Sequence, residues 1–218
     1  MEVYQTEEQQ VEAIKGYWEE NGNMIVAGIV LGFAGFIGFN LYKDSKLEDE
    51  LAVSDSYQAL VEDNVKNKAA FNENAVKFIN ENTGTSYASL TSLALAKEAA
   101  INKDWQGAQE QLKSAIESAP SDGIKAIASL RLARLQVQLE QYEEALSTLS
   151  KPLPESFKAA IEEIKGDTYL LQDKKELALN AYQSAIAIDG LASSPNLQMK
   201  LDDLATAVNL TTAVPPSK

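Results

Sequence analysis

The chain has 218 residues, 45% of them apolar, which is enough for one compact domain with appendages. A formal charge of −13 and only two arginines, Arg131 and Arg134, argue against a nucleic-acid partner, because phosphate affinity comes from clustered basic side chains. The absence of cysteine and histidine removes disulfides, thiolate chemistry, the commonest general base and the commonest transition-metal ligand, so no catalytic residue, metal or cofactor is expected.

Residues 1–22 form an acidic N-terminal tail in which Val11, Ile14 and Trp18 recur at helical spacing, predicting a short amphipathic helix. Its net excess of acidic side chains argues against attachment to anionic lipid. Residues 23–42 form the next element, a transmembrane helix. Nothing between Asn21 and Tyr42 is charged, and a bilayer core needs about 20 apolar residues at about 1.5 Å each. Trp18 and Tyr42 stand near its two ends, where amphipathic rings prefer to lie. A buried core helix and a cleaved signal peptide are the alternatives. The second is disfavoured by the long acidic region ahead and by the lack of a small-residue cleavage pattern after the apolar run. Gly28, Gly32 and Gly35 share one face and predict a surface for close helix packing in lipid, although glycine is also simply frequent in such helices. Lys15 precedes the span and Lys43 and Lys46 follow it. That count favours a cytoplasmic C-terminal domain by one charge or less.

From residue 43 to 208 the composition turns rich in Ala, Leu, Glu and Gln, with almost no alternating β-branched runs, which predicts an all-α domain. Leu51, Tyr57, Leu60 and Val61 mark one apolar face, and Phe71, Ala75, Phe78 and Ile79 the next. Breaks fall at 82–84, 102–104, 119–123, 152–154 and 172–174, with Ser121 or Asp122 as an N-cap. Internal repetition sets the architecture. Ala108, Ala145 and Ala178 recur at steps of 37 and 33 residues, each preceded twelve positions earlier by another small residue, Ala96, Ala133 or Gly166. These steps bracket the tetratricopeptide period of 34. The predicted fold class is therefore all-α: one N-terminal transmembrane helix followed by a tetratricopeptide-like helical-hairpin solenoid, with a divergent hairpin ahead of the repeats. Departures include Ser92, Ser129 and Glu162 at the usual early Trp, Lys165 at a usual Leu, and Gln136 at an expected aromatic.

Residues Gln198 to Val208 are expected to cap the last repeat, and residues 209–218 to form a disordered tail. In tetratricopeptide geometry the concave side receives Leu90, Leu93 and Lys97, then Leu130, Arg134 and Val137, then Glu163, Asp167 and Leu170. This partly apolar groove suits a segment of another protein. Alternatively the divergent hairpin or the C-terminal helix fills it, which makes its leucines plain core.

The opening Met1-Glu2-Val3-Tyr4, the stretch Glu12-Ala13-Ile14-Lys15, the Glu20-Asn21-Gly22 entry to a glycine-rich span, and the run from Leu130 to Leu139 together resemble the YfgM family. These are ancillary subunits of the bacterial SecYEG translocon. The resemblance implies an inner-membrane protein with a cytoplasmic N-terminus and a periplasmic repeat domain. It implies association with the translocon and with a membrane-anchored periplasmic chaperone of the prolyl-isomerase type, assisting exported client proteins, and for some members a link to an envelope stress-response regulator. The function expected is a non-enzymatic interaction subunit. The other readings are a membrane-tethered scaffold or regulator in another envelope process, and an enzyme with a carboxylate-based site.

Overall fold

The computed structural model describes residues 7–66, 68–189 and 196–213, and among these there is no strand. Contacts divide the chain into two units, residues 1–56 and 57–218. In the first unit, helix α1 (Glu7–Lys66) begins with Glu7 and Glu8, whose charges suit a helix N-terminus, and runs without interruption through the apolar segment. The amphipathic stretch and the span expected as separate elements are thus one rod. At the entry to the apolar segment Asn21 donates its side-chain amide to the Tyr17 carbonyl one turn back, Gly22 lies against the Trp18 ring, and the helix runs on through both. The helix is long and apolar enough to cross a bilayer, and its apolar window is not buried: Met24 and Leu31 are 74% and 73% exposed. A core helix would bury these side chains.

The second unit starts at the end of α1 and continues with α2 (Lys68–Glu81), α3 (Ser86–Ile101), α4 (Trp105–Ser118), α5 (Asp122–Gln138), α6 (Tyr142–Ser150), α7 (Lys158–Leu171), α8 (Lys175–Asp189) and α9 (Leu197–Ala213). Of the apolar positions read from the sequence at its start, Leu60, Phe71, Ala75 and Phe78 are buried, whereas Val61 is exposed; Leu51, in the first unit, is exposed as well. The Tyr57 ring lies 6.1 Å from Phe78 and 5.0 Å from Tyr87, which ties the end of α1 to α2 and α3.

Helices α3/α4, α5/α6 and α7/α8 are three successive hairpins, and their turns are the same structure. At each, a non-glycine residue has a left-handed backbone: Lys103 (φ 62°), Glu140 (φ 60°) and Asp173 (φ 58°). The next residue donates its N–H back to a carbonyl five positions earlier, Asp104 to Ala99 at 2.9 Å, Gln141 to Gln136 at 2.8 Å and Lys174 to Tyr169 at 2.9 Å. This is a Schellman closure, satisfying carbonyls that a helix end would otherwise leave open. Asp104 then caps α4 by accepting the Gly107 N–H at 2.9 Å, and a side chain at 107 would run into that carboxylate. At the next boundary α5 starts at Asp122, after Ser121, whose side chain makes no capping bond.

The small residues lie where the helices of each hairpin meet. Ala96, Ala108, Ala133, Ala145 and Ala178 are all buried, and a Cβ on Gly166 would overlap the Tyr182 ring. One core forms from Leu93, Ala96, Leu112, Ala115, Ala128 and Leu132, a second from Leu130, Ala133, Leu149, Ile161 and Ile164. Gln136, the departure from an aromatic, is buried and accepts a hydrogen bond from the Thr148 hydroxyl at 2.8 Å, joining α5 to α6. Helix α9 packs on α8, with Leu197 and Leu204 buried against Ala178, Tyr182 and Ala185. It is the capping helix expected near Gln198, and it continues to Ala213, beyond the Asn209 at which the sequence predicts a disordered tail; residues 214–218 lie outside those described.

Candidate partner-binding face

The first helices of the hairpins carry the face. One position after each small residue Ala96, Ala133 and Gly166 stand Lys97 on α3, Arg134 on α5 and Asp167 on α7, separated by 37 and 33 residues. A further step of 33 reaches Lys200 on α9, so α9 takes the place that the first helix of another hairpin would occupy. The Lys200 Nζ confirms the register: it donates to Asp167 Oδ1 at 2.7 Å, Asp167 Oδ2 at 2.9 Å and Glu163 Oε1 at 2.9 Å.

Tyr182 joins the same hydrogen-bonded junction. The Tyr182 hydroxyl donates to Asp167 Oδ1 at 2.7 Å, and Lys200 Nζ sits 5.9 Å from the Tyr182 ring centroid, within cation–π range. Burial, the bond to Asp167, and the negative charges of Asp167 and Glu163 all push the Tyr182 phenol well above its ordinary value. For Lys200 burial acts in the lowering direction, but hydrogen bonds and charges from Asp167 and Glu163 outweigh it and hold the ammonium above the usual lysine value. At neutral pH both groups keep their protons.

Beside this junction lies an open depression of about 580 Å³, lined by Arg134 and Val137 of α5, Tyr142 of α6, Leu170 and Leu171 of α7, and Lys200. The face expected from the sequence is thus brought together in part. Arg134, Val137 and Leu170 border the depression, with Arg134 exposed, Val137 half-buried and Leu170 38% exposed. Leu90 and Lys97 are exposed on α3. Leu93 and Leu130 are not groove residues: at 5% and 6% exposure they are buried in the cores between hairpins. Each lies one turn before its charged neighbour, Lys97 or Arg134. There the apolar stripe turns into the seam with the adjacent hairpin, a distinction that periodicity does not carry.

The C-terminal helix answers the alternative in which something fills the groove. It occupies the α7 end, where Lys200 consumes Glu163 and Asp167, and it leaves Arg134 and Leu170 open. Sequence reasoning missed this role of Lys200, although the continued step of 33 carried the signal. In the other unit, a Cβ added at Gly28, Gly32 or Gly35 meets nothing within 4 Å, so this face of α1 is free of side-chain neighbours among the described residues. Nor do the described residues hold a metal-binding group of three or more acidic side chains.

Known proteins agree with this architecture. The tetratricopeptide repeat-like domain family matches residues 15–206. A protein of Escherichia coli strain K12 called ancillary SecYEG translocon subunit is 32% identical over 94% of this chain and 100% of its own length. Its namesakes in Aggregatibacter actinomycetemcomitans and Haemophilus influenzae are 33% and 30% identical, each over 91% of this chain and 97% of theirs. With hairpins, cap and apolar rod following one another along nearly the whole matched length, the chain belongs to the YfgM family of ancillary SecYEG translocon subunits, whose repeats are of the tetratricopeptide-like class.

Proposed function

We propose that the chain is a non-catalytic subunit of the inner-membrane protein-export machinery, anchored beside the translocon by α1 and engaging a periplasmic chaperone or an emerging exported protein through the face around Arg134 and Leu170. The observation that carries this reading is the full-length likeness to proteins named ancillary SecYEG translocon subunits. The geometry supports it: a rod with uncovered apolar side chains, and a repeat domain with an open partly apolar depression.

In this reading residues 23–42 lie in the bilayer, the N-terminus is cytoplasmic and residues 43–218 are periplasmic. The Gly28, Gly32 and Gly35 face gives a translocon helix a place to approach closely, as small residues do in lipid. The partners are SecYEG, a membrane-anchored chaperone of the prolyl-isomerase type and exported clients, with an envelope stress-response regulator as a further contact. Co-purification from mildly solubilised membranes tests the assignment. Recovery of translocon subunits together with a periplasmic chaperone is expected, and recovery of neither would overturn it. Protease added to spheroplasts should digest the repeat domain; its protection would reverse the topology.

A further inference from the structure

Four equivalent positions run along the first helices of the repeats, and three of them are basic: Lys97, Arg134 and Lys200, with Asp167 between the last two. That is unexpected in a chain with a formal charge of −13 and two arginines. Asp167 and the neighbouring Glu163 are engaged by Lys200, whose one charge offsets one of their two, so Arg134 and Lys97 are the cations of this row left for a partner. Lys97 and Arg134 are exposed and make no ion pair among the described residues. Glu140, the other carboxylate bordering the depression, sits exposed on the α5–α6 turn. Arg134 therefore presents an unclaimed guanidinium next to two exposed leucines, Leu170 (38%) and Leu171 (58%).

Resting on the reading of this face as a partner surface, we propose that it takes an acidic, leucine-rich segment of a partner protein, with Arg134 as the residue that selects the carboxylate. A planar guanidinium matches a carboxylate in two parallel hydrogen bonds, and the leucines beside it take the adjoining apolar side chain. Lys97, one repeat away, receives a second carboxylate. Packed helices lie about 8–10 Å apart and an extended chain advances about 3.3 Å per residue, so the two acidic residues stand about three positions apart. The pairing of Asp167 with Lys200 matters here, because a bare Asp167 would repel such a segment.

The test uses the full chain in nanodiscs of neutral phospholipid and two fluorescent peptides, four Asp-Leu-Leu triplets and the twin with every Asp replaced by Asn. Fluorescence anisotropy at low salt, corrected with empty nanodiscs, should show the acidic peptide binding at least about tenfold more tightly, a preference that shrinks with added salt. In Arg134→Gln the preference should fall towards one, and Arg134→Lys should recover part of it. Arg134 is exposed, so neither change threatens the fold. Leu170→Asp should weaken both peptides. A preference unchanged in Arg134→Gln, or twins bound equally by the unaltered chain, overturns the inference and leaves the partner face standing. Failure of the unaltered chain to bind either peptide overturns both.

Discussion

At the scale of single residues, backbone conformation and close contacts explain identities that composition leaves open. Lys103, Glu140 and Asp173 hold left-handed backbone at a position where glycine is the ordinary choice, and an L side chain there costs about 1–2 kcal/mol. Lys103 is exposed, so Lys103→Gly should stabilise the protein by about 1 kcal/mol, read as a higher melting temperature by circular dichroism. Gly166 is fixed by the opposite constraint. Gly166→Ala should destabilise by about 1–3 kcal/mol, because its new methyl must displace the fully buried Tyr182 ring. Thr148→Val should cost about 1–3 kcal/mol in the same measurement, since it strands the buried side-chain Oε1 of Gln136.

At the scale of elements, α9 is held by two kinds of force, apolar packing of Leu197 and Leu204 and the charged junction at Lys200. The junction has a defined pH dependence. Both Tyr182 and Lys200 titrate above their ordinary values near pH 10, so above that pH the unfolded chain releases protons that the folded chain retains. Their contribution is complete below about pH 10 and is lost as pH rises further. Amide hydrogen exchange in α9, corrected for its intrinsic pH dependence, should accelerate as the pH rises above about 10, and Lys200→Met should flatten that rise.

Among the elements, legibility in the sequence followed the physics of each signal. Paired small residues at steps of 37 and 33 marked the hairpins, because close helix contact tolerates little else. The unbroken course of α1 was hidden, since its character changes from amphipathic to apolar to acidic while its backbone does not change at all. Of the candidate face, only the charged and outermost members were legible. Leu93 and Leu130 share the apolar stripe with exposed neighbours, and whether a leucine meets solvent or the next hairpin depends on how helices stack.

At the scale of the whole molecule, the two units contribute different surfaces. Helix α1 supplies an uncovered apolar rod with a glycine face, and the repeat domain supplies an open depression beside a hydrogen-bonded C-terminal junction. In the proposed setting Gly28→Leu with Gly32→Leu should reduce cross-links between α1 and translocon helices several-fold without unfolding the repeat domain, because the added side chains meet nothing among the described residues. The most direct measurement is photocross-linking in intact cells with one probe at Gly32 and another at Leu170. Translocon subunits should be captured at Gly32 and a periplasmic chaperone or exported protein at Leu170, whereas capture of cytoplasmic proteins at Leu170, with no translocon subunit at Gly32, would contradict the proposed function.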